Sequence, residues 1–199
     1  MNFSNFDQLP TALQTVVTQQ TLTIGQALFH KGEPADTVFV IQFGRIRLLH
    51  YTESGQIVNH YQVNPGELCA ELVLFIETYA CTAIAEELTQ VLVFPKQAFL
   101  KALQQDSDLA IAFMTQMAYR LHLTKTMLEV RGIRSARERV LHYLRFVMPT
   151  DQNSVLLKQP LKSIAYDLGI SPEVLSRTLT QLEIEEVILR EKRRITLLE

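Results

Sequence analysis

The chain has 199 residues, 47% of them hydrophobic and 20% charged, with a net charge of −2, the profile of an ordinary globular protein with room for one large or two small domains. No apolar run approaches the ~20 residues that span a bilayer, the opening "MNFSNFDQLPTALQ" has no basic region ahead of an apolar stretch, and two cysteines, Cys69 and Cys81, make no disulfide framework. A cytoplasmic protein without membrane contact is expected. The charge is uneven: residues 1–130 carry 7 Lys+Arg against 12 Asp+Glu (−5), and residues 131–199 carry 12 against 9 (+3). The basic C-terminal part is the one suited to a polyanion.

Five of the seven glycines, at 25, 32, 44, 55 and 66, punctuate the first third of the chain. Between them lie β-branched and aromatic runs, "TVFVI", "RIRLLHY" and "IVNHYQV", so short strands with regular turns predict a β-sandwich or roll. "ACTAIA" and "TQVLVF" are expected to form a further strand pair ending at Pro95. After Pro95 no Gly or Pro occurs until Gly132. Within that span Leu109, Phe113, Met117, Leu121, Thr124 and Leu128 recur at helical spacing, which predicts a long helix over 108–131. One reading packs this stripe on the chain's own roll. The preferred reading makes it a helix–helix dimer seam, because Ala112, Met114 and Met127 add apolar groups on other faces. Gly132 is the expected hinge, "SARERVLHYLRFVM" the next helix, and "PTDQNS" a polar loop. The expected domains are therefore 1–107, 108–131 and 132–199.

"LKSIAYDLGISPEVLSRTLTQLE" fits a helix-turn-helix. Gly169 takes the turn position needing positive φ, Ser171 caps the second helix, and Pro172 stands at its first position, where a missing N–H costs nothing. Ile164, Leu168, Ile170, Leu175, Leu179 and Leu182 face inward, leaving Glu173, Ser176, Arg177 and Thr180 outward in the first turns. From there Arg can donate twice to guanine and Glu can accept from cytosine, so Glu173, Ser176 and Arg177 are the expected base readers. The bland alternative is a surface ion pair, since Glu173 and Arg177 lie four residues apart. "VILREKRRITLLE" reads as strand, basic turn, strand: a wing whose Arg190, Lys192, Arg193 and Arg194 suit phosphate contact together with Lys162, Ser171 and Thr180.

This order of parts, a glycine-punctuated roll, a long helix, a hinge and a winged helix, resembles the Crp/Fnr family of bacterial transcription regulators. The likeness covers nearly the whole chain and is carried most by "PGELCAELVLF" and by the stretch from Met117 onward. It implies an α+β fold: an N-terminal cyclic-nucleotide-binding-like β-roll (a double-stranded jelly roll), a long dimerisation helix and a C-terminal winged helix-turn-helix. It further implies a non-enzymatic homodimer that binds palindromic double-stranded DNA and works with RNA polymerase. "SPEVLSRTL" resembles the Fnr branch, with Glu173, Ser176 and Arg177 matching residue for residue. Pro172 stands where the cAMP-receptor branch has Arg, so TTGA-type half-sites are implied over TGTGA.

The expected effector pocket departs from the family pattern. Glu71 and Thr124 match, but Ala70 replaces a glycine, and Tyr79 and Ala80 stand where Arg and Ser hold the cyclic phosphate. From Leu48 to Pro95 there is no Lys or Arg, against six glutamates. A buried phosphate with no cation is costly, which argues against cAMP unless Arg120 or Lys125 of the long helix supplies the charge, as it could for a small acid. Two cysteines cannot hold the four-cysteine iron–sulfur cluster of Fnr. His50, His60, Cys69 and Cys81 leave haem open. Two further readings are a cupin-like metalloenzyme, for which His30, His50 and His60 show no His-x-His pair, and a ligand-binding module whose winged helix makes only protein contacts.

Overall fold

The computed structural model describes the whole chain except residues 1, 2, 53, 55, 56, 158 and 199, with the backbone alone at 57–60. Two compact units emerge, Met1–Met117 and Ala118–Glu199, so the division falls inside the long helix rather than at either of its ends.

The first unit is a roll of two four-stranded antiparallel sheets. One runs β1 (Thr18–Leu22), β8 (Thr89–Pro95), β3 (Thr37–Phe43), β6 (Leu68–Cys69); the other runs β2 (Ala27–Phe29), β7 (Thr82–Ala85), β4 (Ile46–Tyr51), β5 (Ile57–Val63). Strands 7 and 8, expected as a pair, belong to different sheets: β7 pairs with β4 and β2, and β8 with β1 and β3. Glu86–Leu88 carries the chain across. The crossing is tight, because a Cβ on Gly44 would meet Thr89 Cα at 2.6 Å, and Gly44 also has φ +84°. Both the space and the dihedral require glycine there.

Strands β3 and β8 supply much of the core, with Val38, Val40, Ile41, Val91, Leu92 and Phe94 all fully buried. After the short N-terminal helix α1 (Thr11–Gln14), helix α2 (Lys96–Gln105) closes it with Phe99, whose ring meets Phe94 edge-on at 5.4 Å. Helix α3 (Ser107–Gly132) then adds Leu109, fully buried, and Phe113, edge-on to Phe99 at 6.1 Å. Burial of each such side chain contributes ~1.5–3 kcal/mol. Three positions of the expected dimer stripe, Leu109, Phe113 and Met117, therefore pack into the roll's own core. The large exposed apolar residues of α3 are Ile111, Met114, Tyr119, Leu121 and Leu128. Gly132 is the last residue of the helix, and the break follows it at 133–135.

In the second unit, α4 (Ala136–Val147), α5 (Leu161–Leu168) and α6 (Pro172–Ile184) pack around Val140, Leu144, Ile164, Leu168, Leu175, Leu179 and Leu182, joined by Val130 from the end of α3. A three-stranded sheet of order β10 (Ile188–Glu191), β11 (Arg194–Leu197), β9 (Ser154–Leu156) completes it. Strand β9 begins at the last residue of "PTDQNS", the stretch read as a loop; three residues are too short for alternation to show, and only pairing with β11 makes them a strand.

Candidate nucleic-acid interface and roll cavity

Helix α5 ends because Gly169 adopts φ +64°; its N–H reaches Tyr166 O at 3.0 Å and the Ile170 N–H reaches Ala165 O at 3.0 Å, the paired bonds of a Schellman stop. Ser171 caps α6 by accepting from the Val174 N–H at 3.2 Å. Two arginines that sequence reasoning passed over hold this turn. Arg131 donates to Asp167 O at 2.7 Å and Tyr166 O at 3.1 Å, and Arg139 donates to Leu168 O at 3.0 Å and Ile133 O at 2.6 Å. Cations on the free carbonyls of a helix C-terminus satisfy groups the helix leaves open and complement its dipole. They stand 29 to 36 residues ahead of the α5 carbonyls they hold, so the motif itself carried no local signal for them.

With Leu175, Leu179 and Leu182 buried, Glu173, Ser176, Arg177 and Thr180 are all exposed. Among the described residues Glu173 and Arg177 form no ion pair within 4.0 Å. The Glu173 carboxylate instead turns back to the helix start, where its own backbone N–H and the Ser171 hydroxyl hold its pKa below the usual carboxylate value, with Arg177 contributing least. Among the described residues Arg177 has no hydrogen-bond or ion-pair partner. A neighbouring cation, Arg137, is held by Glu185 at 2.7 Å and lines a shallow concavity with Arg177 and Gln181.

The wing tip is narrower than expected. Lys192 (φ +57°) and Arg193 make a two-residue turn, while Arg190 and Arg194 lie in the strands, paired opposite Ile195 and Glu191. Arg194 also donates to Ser154 Oγ at 3.4 Å. Lys162 is exposed in the first turn of α5.

The roll contains a cavity of about 230 Å³ lined by Phe29, Leu48, His50, residues 70–73, Ile76, Tyr79, Ala80 and Cys81. Of the six residues expected at an effector pocket, Glu71, Tyr79 and Ala80 line it, and Arg120, Thr124 and Lys125 lie on α3 in the second unit. Thr124 Oγ1 there donates to Arg120 O on its own helix at 2.9 Å. Ala70 opens a 3-10 turn, Glu71–Leu74, with φ +66° and ψ +27°, so the backbone keeps a glycine-type conformation without the glycine. Tyr79 is buried, its ring stacked on Phe29 at 4.0 Å and its hydroxyl 2.7 Å from Thr37 Oγ1. Burial raises the Tyr79 pKa, and burial with the neighbouring Glu71 carboxylate raises that of the Cys81 thiol. Cys69 is fully buried, and the His60 side chain lies outside the described residues. Gln116 of α3, another residue the sequence did not flag, donates to Gly66 O at 2.9 Å and accepts from the Leu68 N–H at 3.1 Å, tying the helix to the segment that leads into this turn.

Residues 19–106 match the Cyclic nucleotide-binding domain family. The chain is 26% identical over 168 residues to the cAMP-activated global transcriptional regulator CRP of Salmonella typhimurium, covering 81% of this chain and 80% of that protein. It is 24% identical over 203 residues to the transcriptional activator protein Anr of Pseudomonas protegens, covering 98% and 82%. The chain is similar over most of its length to regulators of the Crp/Fnr type. FixK2 from Bradyrhizobium japonicum shares the fold with a TM-score of 0.68 at 22% identity, over 92% of this chain and 93% of that one. Against the cupin-like reading, the Crp/Fnr relatives are named as transcription regulators, and among the described residues no three His, Cys, Asp or Glu side chains gather as a metal set. No helix among the described residues is long and apolar enough to cross a membrane.

Proposed function

We propose that this protein is a sequence-specific DNA-binding transcription regulator of the Crp/Fnr type that acts as a homodimer on a palindromic site. The observation that carries the reading is Arg177: an exposed guanidinium with no hydrogen-bond or ion-pair partner among the described residues, about a turn and a half into a capped helix whose opposite face is buried. An arginine so placed is ready to donate to guanine O6 and N7, and Ser176 and Glu173 flank it in the same first turns. Lys162, Ser171, Thr180, Lys192, Arg193 and Arg194 supply positions for phosphate contact. The Glu173–Ser176–Arg177 pattern after Pro172 favours TTGA-type half-sites.

The dimer reading rests on the face of α3 that the roll leaves open. Ile111, Met114, Ala118, Leu121, Lys125 and Leu128 are exposed and recur at alternating spacings of three and four, the period of a two-stranded seam. The roll is the receiver of the controlling signal. Selection of bound fragments from random DNA tests the whole reading: it is expected to return an inverted repeat with half-site centres about one helical turn apart, and enrichment of no common sequence would refute it.

A further inference from the structure

We propose that a cleft in the second unit, between α4, β9 and the wing, binds a small organic acid whose apolar body carries a hydrogen-bond donor. None of its described lining residues belongs to α6, so the site stands whether or not that helix reads DNA. At about 470 Å³ the cleft falls within the ~300–1,000 Å³ of small-molecule sites. Its apolar wall is Val147 of α4, Val155 of β9, Leu157, Ile164 of α5 and the ring of Tyr143, with Leu157 and Ile164 buried. A ligand body gains there by leaving water.

Polar groups on this wall have hydrogen-bonding capacity to spare. The side-chain oxygen of Gln159 is buried without a partner, a costly state that a donor on a ligand relieves. Tyr143 is buried as well, and among the described residues its hydroxyl makes no hydrogen bond. Burial, with the Asp167 carboxylate adding, pushes its pKa up, so the phenol stays protonated and sets no negative charge beside an acid. Arg194 is the charged residue of the described lining. Among the described residues it forms no ion pair, even with Glu191 opposite it in the ladder, and its bond to Ser154 Oγ is long at 3.4 Å. A guanidinium with free donors takes a carboxylate in a charge-assisted, two-pronged bond. The occupant that satisfies these groups holds its acid at Arg194 on the rim and turns a donor on its body toward Gln159.

Indole-3-acetate has such an acid and, in its ring N–H, such a donor. Two relatives each lack one feature: 1-methylindole-3-acetate the donor, and indole-3-ethanol the charge. Calorimetry on the full chain without DNA is expected to find indole-3-acetate the tightest, with each relative about threefold or more weaker. Gln159→Leu is expected to bring the acetate and its methylated form within about twofold of each other while keeping the preference for the acid. Arg194→Gln is expected to do the converse, levelling the acetate and the alcohol while keeping the preference for the ring N–H. Should either variant fail to fold, the wild-type ranking and its salt dependence still decide, because added salt is expected to weaken both acids and spare the alcohol. No binding by any probe, the result if water alone fills the cleft, would overturn the proposal. So would a methylated acetate or an alcohol that binds as tightly as indole-3-acetate. A ranking unchanged by both substitutions would put the probes elsewhere in the chain, the roll cavity included, and would overturn it as well.

Discussion

Arg177→Ala removes an exposed side chain that makes no hydrogen bond or ion pair among the described residues, so its two consequences should come apart. Glu173 is already engaged by its own N–H and by Ser171, and it loses no ion pair when Arg177 goes. Stability should therefore stay within the spread of surface substitutions, about ±0.5 kcal/mol, and the melting shifts of Glu173→Gln and Arg177→Ala should simply add. On DNA, loss of a bidentate guanine contact costs ~1–3 kcal/mol per half-site. With both half-sites of a dimer affected that becomes about 2–6 kcal/mol, roughly 30-fold to 20,000-fold in affinity. The loss should be accompanied by a flattened preference at one base pair of each half-site. Arg193→Ala, at the wing tip, is the contrast: it should weaken all sequences alike and lower the salt slope by about one. Fluorescence anisotropy on single-base variants of a selected site, at two salt concentrations, reads both. An Arg177→Ala protein that melts lower yet keeps its base preference would show that the arginine serves the fold, and the base-reading argument would fail.

Ala70→Gly should raise the melting temperature, because a left-handed alanine costs ~1–2 kcal/mol while glycine costs ~0.5–1 kcal/mol in unfolded-chain entropy, leaving a net gain of a few tenths to about 1 kcal/mol; an unchanged or lower melting point would count against strain at this turn. Leu121→Glu with Leu128→Glu should yield folded monomers in sedimentation, since both side chains are more than half exposed and carry no core packing; a folded double variant that stays dimeric would move the seam elsewhere. Asp167 has its pKa raised above 3.8 by burial, with Arg131 opposing, so the folded state holds this proton more tightly than the unfolded one. Its contribution is fully present below 3.8 and is lost as pH rises through the folded value. The melting point of Asp167→Asn should accordingly gain on wild type as pH rises across that window, and a difference that does not change with pH would contradict the raised value.

The helix-turn-helix was legible to the residue because its determinants are local: a glycine with positive φ, a serine cap and a proline at the first helical position act within a few residues of one another. The strands of the roll were legible for the same reason, whereas their pairing was not. "ACTAIA" and "TQVLVF" are neighbours in sequence but separate at Glu86–Leu88 into two sheets, and only the core decides that. The long helix shows the same limit from another side. Its apolar residues at 109, 113 and 117 and those at 111, 114 and 121 both have helical spacing, and periodicity alone cannot say which set the roll covers. The cavity divides in the same way. The missing phosphate-binding arginine could be read from "TYACTA", but what replaces it could not: Tyr79 folds inward onto Phe29 and Thr37, and Ala70 keeps the backbone turn of a glycine. Loss of the cation alone would leave a solvated gap. A filled aromatic wall and a retained turn make instead an apolar lining, so the altered motif reshapes the pocket and does not merely lose a cation.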